Sequence, residues 1–341
     1  MKVLLVKTSS FGDVIHTLPA VADLFSVRPE IELTWMVEES FLELPLLNQK
    51  VASAIPVSIR RWRQSWLNSL PEIKAFCARL REQKYDLVID AQGLMKSALL
   101  AKMAKGEVHG LDRASSKEPA SHFFYDKCYT VEKKSHAIEK TRSLFAQIFS
   151  YRLKGMQLQY GITLQPSTNT KPKLFLLHGT TWASKHWPEH YWRRLAILAG
   201  DSGFDVTLTY GNEIEQARAE RIINGIEGSE LLSPKSITDL VKIMGSCSGL
   251  VSVDTGLGHL ANAMNLPMVG LFGPTNPDLT GPIGIHSKVL VSDNLACIPC
   301  LKNQCRYMTE EGNIYPPCFE NMTPERVLDS LTKLIATSRL T

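Results

Sequence analysis

The stretch Val251–Leu260, VSVDTGLGHL, decides how the chain folds. An apolar, β-branched run ends at Asp254, and the glycines that follow, Gly256 and Gly258, open a helical pattern. A short buried strand that passes directly into a helix is typical of a parallel sheet in which strands and helices alternate. We therefore expect an α/β fold with a doubly wound parallel sheet around this segment.

The same alternation extends outward over the chain. The first half has predicted strands at 2–7, 32–37, 54–58 and 86–91, and predicted helices at 13–26, 71–83, 96–104 and 136–149. The second half has predicted strands at 174–178, 205–210, 250–253 and 268–272, and predicted helices at 188–201, 213–223, 236–244 and 257–264. Because 341 residues exceed the ~250–300 that one core organises, we expect two Rossmann-like domains facing across a cleft.

The domain boundaries follow from composition. Residues 161–173 are rich in turn formers and are predicted to link a first domain, 1–160, to a second, 174–322. A final amphipathic helix is predicted within 323–341, opened by Thr323 as its N-cap and Pro324 at its first position. Ligands of such sheets bind beyond the carboxyl ends of the strands, so the loops after the strands are the places to search for function.

Hydropathy and cysteine content restrict the location of the protein. No apolar run reaches the ~18–20 residues of a membrane helix, and the apolar start Met1–Lys7 is too short for a signal-peptide core. We therefore expect a cytoplasmic protein. Seven cysteines in such a chain indicate free thiols or a metal site rather than a disulfide framework.

The positive charge is concentrated in the first half of the chain. Residues 1–160 carry 23 Lys+Arg against 17 Asp+Glu, a net charge of +6, and the remaining 15 against 17 give −2. Arg60, Arg61 and Arg63 surround Trp62, a combination that suits a phosphate or carboxylate clamp better than a strand or helix interior. Nucleic acid and an anionic membrane face are alternative partners. No nucleic-acid-binding motif accompanies the cluster, so we expect no nucleic-acid partner.

Two post-strand loops carry candidate catalytic groups. Asp13 follows Gly12 where the first helix begins, so it is either an N-cap or a general base that deprotonates an acceptor hydroxyl. The loop 178–188 offers Thr180, Thr181 and Lys185 before a helix start, a set suited to a diphosphate, although Lys185 could also be an ordinary exposed lysine.

The glycines of the opening stretch indicate an anion site. Backbone amides from Thr255 to Gly258 point at one spot at the start of a helix. The segment also matches a dinucleotide fingerprint through Gly256, Gly258 and Ala261, so a nicotinamide-dependent oxidoreductase is an alternative. That fingerprint normally follows the first strand of its domain, whereas this one lies near the end of the second domain, which weighs against the alternative.

A cysteine series closes the second domain. Cys297, Cys300, Cys305 and Cys318 form the pattern C-x2-C-x4-C-x12-C, which has zinc-ligand spacing. Buried structural thiols, or a redox-labile pair, are the alternatives. We expect no cofactor that takes part in catalysis. A structural zinc ion at these four residues is one of the three possibilities that the pattern allows.

Five motifs in order resemble a known family. They are KVLLVKTSSFGDVIHTLPA at 2–20, IPVSIRRWR at 55–63, DAQGLMKSA at 90–98, KHWPE at 185–189 and VSVDTGLGHL at 251–260. Together they resemble the lipopolysaccharide heptosyltransferases of glycosyltransferase family 9, the heptosyltransferase I group most closely. The resemblance implies the GT-B fold and metal-independent, inverting transfer from ADP-L-glycero-β-D-manno-heptose to the Kdo region of Kdo2-lipid A. It also implies peripheral contact with the cytoplasmic face of the inner membrane, and packing of the C-terminal helix within 323–341 back across to the first domain.

The resemblance also assigns roles to residues. It places the general base at Asp13 and the catalytic cation at Lys185. The implied donor-binding residues are Thr180, Thr181, Lys185, Glu215, Asp254, Thr255, Gly256, Leu257 and His259. The implied acceptor-binding residues are Arg60, Arg61, Arg63, Lys96 and Lys117.

The chain departs from the family pattern in three places. Lys117 and Gln64 stand where relatives have an arginine and a lysine, and the cysteine series is absent from the heptosyltransferase I pattern. Two further functions remain as alternatives: a sister heptosyltransferase with another acceptor, and a non-catalytic sugar-nucleotide or lipid-binding protein. The latter predicts that Asp13 is dispensable.

Overall fold

A computed structural model of the chain describes residues 1–163, 171–292, 295–308 and 315–338. It divides into two compact units, Met1–Thr163 and Leu164–Thr341. Residues 164–170 of the predicted linker lie outside the described residues. In the described part of the chain, no helix combines the length and the apolar character that crossing a membrane requires.

The first unit is built on a six-stranded parallel sheet. Its strands are β1 (Lys2–Val6), β2 (Glu32–Glu38), β3 (Ser53–Val57), β4 (Lys84–Asp90), β5 (Lys105–Leu111) and β6 (Lys127–Tyr129), in the order β3-β2-β1-β4-β5-β6. Its helices are α1 (Phe11–Ile15), α2 (Leu18–Val27), α3 (Glu43–Leu46), α4 (Ile59–Gln64), α5 (Trp66–Leu80), α6 (Met95–Met103) and α7 (Ala137–Phe149). The side chains of β1 from Val3 to Val6 are fully buried, as expected for a strand covered by helices on both faces.

The second unit repeats this plan. Its strands are β7 (Lys173–Leu177), β8 (Asp205–Thr209), β9 (Ser229–Leu232), β10 (Gly249–Val253), β11 (Met268–Phe272) and β12 (Ser287–Val291), in the order β12-β11-β10-β7-β8-β9. Its helices are α8 (Glu189–Asp201), α9 (Glu213–Ile223), α10 (Ile237–Gly245), α11 (Gly256–Ala263), α12 (Pro277–Thr280) and α13 (Pro324–Ser338). The predicted fold class, two Rossmann-like domains of the GT-B type, is confirmed by these two sheets.

The strand order fixes where each unit binds ligands. The chain leaves β1 toward β2 on one side, and β4 pairs with β1 on the other side. In the second unit, β7 lies in the same way between β8 and β10. The order of strands therefore reverses between β1 and β4 and between β7 and β10, and the loops at the carboxyl ends of these four strands line the crevice of each unit.

Helix α13 completes the core of the second unit. It packs against α8, β10, β11 and β12, and it contributes Val327, Leu331 and Ile335 to the buried cluster of that unit. The backbone N–H of Arg326 donates to Thr323 Oγ1 (3.3 Å), so the predicted start of the helix at Thr323 and Pro324 is confirmed. The predicted packing of this helix against the first domain stays a prediction.

Several elements differ from the sequence prediction. The single helix predicted at 13–26 is two helices, α1 and α2, because Pro19 has no N–H to continue the hydrogen-bond ladder. The arginine cluster at 60–63, predicted to be a poor helix interior, lies within α4, which buries Trp62 against Phe76 and leaves the three arginines exposed. Strands β5, β6, β9 and β12 were not predicted.

Candidate active site

The loop after β1 holds Asp13 in a defined position. The backbone N–H and the hydroxyl of Ser10 both donate to Asp13 Oδ2, at 2.9 and 3.1 Å. Ser10, not Asp13, is the N-cap of α1, and Asp13 is the third helical residue, whose carboxylate reaches back to the cap. The expectation of Asp13 as an N-cap is therefore wrong, although its carboxylate does stabilise the helix start.

Two lysines keep Asp13 ionised. Lys117 Nζ lies 3.8 Å from Asp13 Oδ2, and Lys7 is buried at the end of β1, where its Nζ donates to the Ala91 carbonyl (2.9 Å). Burial raises the pKa of Asp13, but the charges of Lys7 and Lys117, the Ser10 N–H and His16 outweigh it and lower the pKa to about 2. The carboxylate is thus negatively charged at neutral pH and 26% exposed, as a proton acceptor must be.

The end of β4 supports the Asp13 loop from the neighbouring strand. Gln92 Oε1 accepts from both the N–H and the hydroxyl of Thr8, each at 2.8 Å. Asp90 is fully buried and accepts from Tyr125 Oη (2.7 Å), Ser97 Oγ and the Gln92 N–H (both 2.8 Å). Burial raises the pKa of Asp90, and the Gly93 N–H is a further donor to its carboxylate (3.4 Å). Sequence reasoning missed these residues, although a polar residue ending a buried strand, Asp90, was a usable signal.

The predicted acceptor residues divide into one that is already paired with carboxylates and four whose charges are available to a ligand. Arg61 forms a bidentate pair with Glu72 (2.6 and 2.8 Å) and also contacts Glu39 (3.3 Å), so its charge is already neutralised. Arg60 lies 5.1 Å above the ring of Phe41, which packs on Phe11 beside the Asp13 loop. Exposed cationic side chains are therefore available from Arg60, Arg63 and Lys117, together with the half-buried Lys96 at the start of α6.

In the second unit, Asp254 at the end of β10 contacts several of the predicted donor-site residues. Lys185 Nζ lies 2.7 Å from Asp254 Oδ2, and His259 Nε2 lies 3.4 Å from Asp254 Oδ1. Thr180 Oγ1 donates to the Asp254 carbonyl (3.4 Å). Burial raises the pKa of Asp254, but His259 and Lys185 hold it well below its usual range. The structure therefore brings Thr180, Lys185, Asp254 and His259 together.

Two residues of this cluster were not predicted. Thr275, which follows β11, donates its hydroxyl to Asp254 Oδ2 at 2.7 Å. The Lys185 ammonium also lies 4.5 Å from the centre of the Trp182 ring, a cation–π contact within its own loop. Thr275 lies in the loop after a buried strand at the same sheet edge, but a threonine at such a place is too common to indicate a site.

Helix α11 points its free amides at this cluster. Thr255 is its N-cap, and Gly256 and Leu257 are its first two residues. A Cβ on Gly258 would collide with Ser252 Oγ on β10, so only glycine lets the helix start pack this closely on the strand. The amides and the Lys185 ammonium therefore form one positively polarised surface, which suits a diphosphate.

Glu215 is a further residue of the predicted donor site. Its Oε2 accepts from the Gly211 N–H (2.8 Å), and a Cβ on Gly179 would lie 2.8 Å from its Oε1. Glu215 thus lies next to the start of the Thr180 loop, while Thr181 in that loop is exposed. His178 is buried, and its Nε2 donates to the Thr209 carbonyl (3.2 Å), which is a structural role.

The four cysteines of the C-terminal series lie elsewhere in the second unit. Cys297, Cys300 and Cys305 are half-buried, Cys318 is buried, and all four are free thiols. They line one small cavity. In the part of the chain that the structure describes, no three His, Cys, Asp or Glu side chains are close enough to hold a metal ion without adjustment. The zinc site stays a prediction.

The two six-stranded parallel sheets, each with polar loops at its strand reversal, agree with the GT-B fold. The family model described as glycosyltransferase family 9 (heptosyltransferase) matches residues 73–310. Lipopolysaccharide heptosyltransferase 1 of Pseudomonas aeruginosa is 45% identical over 349 residues, which cover 98% of each chain. The chain therefore belongs to glycosyltransferase family 9, the heptosyltransferases, and the predicted family and enzyme class are confirmed.

Solved structures agree with this assignment. The structure of Escherichia coli heptosyltransferase WaaC with ADP has a TM-score of 0.85 and 37% identity, covering 98% of this chain and 100% of that chain. The structure of the same enzyme with ADP-2-deoxy-2-fluoro heptose has a TM-score of 0.80 and 40% identity, covering 86% and 94%. The family assignment leaves the nicotinamide alternative without support.

Proposed function

We propose that this chain transfers L-glycero-D-manno-heptose from ADP-heptose to a Kdo hydroxyl of Kdo2-lipid A, with inversion, in the synthesis of the lipopolysaccharide inner core. The names of its relatives and the ADP ligands of the WaaC structures support the heptose donor and the lipopolysaccharide acceptor. The observation that carries the proposal is the ionised carboxylate of Asp13, held by Ser10 and two lysines at the strand reversal of the first unit.

The second unit is assigned the donor. The diphosphate would replace Asp254 as the main partner of the Lys185 ammonium and would accept hydrogen bonds from the amides at the start of α11. The diphosphate would be lined by Thr180, Thr181, Thr255, Gly256, Leu257 and His259. Asp254 would bind the sugar and Glu215 the ribose. Asp254 is released to bind heptose hydroxyls when the phosphates draw Lys185 away from it.

The first unit is assigned the acceptor. Kdo carries carboxylates and lipid A carries phosphates, and Arg60, Arg63, Lys96 and Lys117 offer positive charges to both. Arg61 is assigned a supporting role, because Glu39 and Glu72 already neutralise it. The lipid part of the acceptor would bring this unit to the cytoplasmic face of the inner membrane as a peripheral protein.

The proposed mechanism uses Asp13 as base and the donor site as the sink for negative charge. Asp13 accepts the proton of the attacking Kdo hydroxyl, whose oxygen bonds to the anomeric carbon on the face opposite ADP. The bond between that carbon and the phosphate oxygen breaks through an oxocarbenium-like state, which inverts the configuration. Lys185 and the α11 amides stabilise the charge that develops on ADP, so the proposal needs no divalent metal for the chemistry.

Lys117 links acceptor binding to the strength of the base. A carboxylate with a pKa of about 2 accepts protons weakly. An acceptor carboxylate that pairs with Lys117 would share the charge that now acts on Asp13 from 3.8 Å, and the pKa of Asp13 would then rise. The base would become stronger only when the acceptor is bound.

Mass spectrometry of the acceptor tests this function. The protein is mixed with ADP-heptose and Kdo2-lipid A, and one added heptose per acceptor is expected. Parallel reactions contain an acceptor that already carries one heptose. Addition to the latter alone would assign the chain to the sister activity, and no addition to either, with intact ADP binding, would favour a non-catalytic sugar-nucleotide-binding protein.

A further inference from the structure

Four thiols of the second unit have no part in the proposed chemistry. Cys297, Cys300 and Cys305 lie on the loop that follows β12, and Cys318 lies in a short 3-10 turn before α13. All four side chains line the same cavity, which has almost no polar surface. Four cysteines from two segments thus meet in one place in a chain of 341 residues that has only seven.

The cysteine loop is attached to the loop that carries Lys185. The N–H of Ser184 donates to the Asn303 carbonyl (3.1 Å), and its hydroxyl donates to the Lys302 carbonyl (2.5 Å). Lys302 and Asn303 lie between Cys300 and Cys305, and Ser184 is buried directly before Lys185. The conformation of the Lys185 loop therefore depends on the conformation of the cysteine loop.

Among the described residues, the cysteine loop from Cys297 to Met308 has few other backbone hydrogen bonds. The Leu301 N–H donates to the Pro274 carbonyl (2.9 Å), and the Met308 N–H donates to the Cys305 carbonyl (3.2 Å). The loop forms no strand or helix between Cys297 and Met308. A segment of this kind needs an additional constraint if it is to hold a neighbouring loop in place.

Four thiols at one cavity suit a soft metal ion. Soft thiolate ligands in a tetrahedral set of four select zinc. Although no ready-made ligand set exists among the described side chains, three of the thiols are on an irregular loop that can close around an ion.

We propose that Cys297, Cys300, Cys305 and Cys318 bind one zinc ion, and that this ion fixes the loop that positions Lys185. Each thiol that becomes a ligand releases its proton to solvent, and the ion receives four thiolate sulfurs. Four protein ligands leave no open coordination position, so the ion is structural and takes no part in the transfer reaction.

Metal analysis of the intact chain tests the site. The purified, reduced protein is expected to contain about one zinc ion per chain. The variant Cys300→Ser is expected to lose it, while Cys128→Ser, which removes an exposed thiol in the first unit, keeps it. Equal metal content in the wild type and in Cys300→Ser would overturn the proposal.

Cobalt substitution gives a second measurement that needs no variant. The wild-type chain is stripped of metal under reducing conditions and titrated with Co²⁺. A thiolate-to-cobalt charge-transfer band with the d–d absorption of tetrahedral cobalt, saturating near one equivalent, is expected. A wild-type protein without stoichiometric zinc that also fails to give this spectrum would reject the site, even if Cys300→Ser did not fold.

The effect on Lys185 rests on the proposed function and is measured separately. We expect removal of zinc to raise the dissociation constant for ADP about tenfold, and zinc addition to restore it, because Ser184 no longer fixes the Lys185 loop. Unchanged ADP affinity in zinc-free protein would overturn the positioning role. No ADP binding by either form would instead count against the proposed donor site, whatever the zinc content.

Discussion

Asp13 has two physical roles that a substitution can separate. Its carboxylate stabilises the start of α1 through Ser10, and it is the proposed base. Asp13→Asn retains an oxygen that can accept from Ser10 but no longer accepts the hydroxyl proton. We expect kcat to fall by about 10²- to 10⁴-fold, while the dissociation constant for ADP-heptose changes little. Rapid measurement of ADP release gives kcat, and calorimetry gives the affinity.

The control for this variant is Ser10→Ala. It removes one of the two donors to Asp13 Oδ2 and leaves the base in place. A large loss of activity in Ser10→Ala together with near-normal activity in Asp13→Asn would remove Asp13 from the mechanism.

Lys117 gives a pH-dependent prediction. Lys117→Met removes a positive charge 3.8 Å from Asp13 Oδ2, so the pKa of Asp13 rises from about 2 toward its ordinary value. The active form is the ionised one, present above that pKa and lost as the pH falls through it. We expect the acid side of the kcat/KM profile to move up by about one pH unit. Lys127→Met, an exposed lysine paired with Glu107, should leave the profile unchanged.

A substitution of Lys185 distinguishes a role at the leaving diphosphate from a general effect of surface charge. Lys185→Met should lower kcat/KM by about 10²- to 10³-fold, because the leaving diphosphate loses its nearest cation. Lys171→Met is the matched control, since Lys171 is an exposed lysine of the same unit that pairs with Asp205 instead. Steady-state kinetics with ADP-heptose decide, and equal losses in the two variants would contradict the assigned role of Lys185.

Individual site residues were predictable where they lie in the loop or helix start that follows a predicted buried strand. Asp13 and Asp254 stand at such positions, and the structure surrounds both with charged partners. Thr275 and Gln92 stand at equivalent positions, but threonine and glutamine are common in ordinary loops and gave no distinct signal. The neutralisation of Arg61 was not predictable, because Glu72 lies eleven residues away on another helix.

At the scale of elements, the start of α11 has a strict packing requirement. Gly258→Ala would place a Cβ against Ser252 Oγ within a buried contact, and we expect a loss of about 1–3 kcal/mol in the free energy of unfolding. Gly200→Ala is the contrasting variant, because a Cβ there meets no atom within 4 Å near the end of α8. We expect it to be neutral or stabilising, by up to about 1 kcal/mol. Urea unfolding compares both with the wild type.

The elements that the sequence revealed are those buried on both faces. Strands β1, β7, β10 and β11 are apolar runs and were predicted within a residue or two. Strand β5, in contrast, begins Lys105-Gly106-Glu107 and lies toward the edge of its sheet, where pairing with β4 and β6 makes it a strand. Pro19 indicates a break between α1 and α2. The flanking residues keep a helical periodicity across this position, and they therefore favoured the prediction of one continuous helix.

At the scale of the whole molecule, the uneven charge predicts a salt effect. The half of the chain assigned to the anionic acceptor has a net charge of +6, whereas the other half has −2. We expect the KM for Kdo2-lipid A to rise several-fold between about 0.05 and 0.5 M salt, because added ions screen this attraction. Arg63→Ala should have a higher KM at low salt and a weaker salt dependence. A KM independent of salt would argue against the basic acceptor surface.

The two units also differ in the order in which their cores become complete during synthesis. The first sheet is made entirely of residues before Thr163, so this unit can fold on the ribosome while the rest of the chain is still being translated. The second unit needs Val327, Leu331 and Ile335 of α13 to close its core. The hydrophobic face of the second unit therefore stays open to chaperones and proteases until nearly all of the described chain has emerged. We expect a chain that stops before α13 to have a stable first unit and a second unit that proteases degrade.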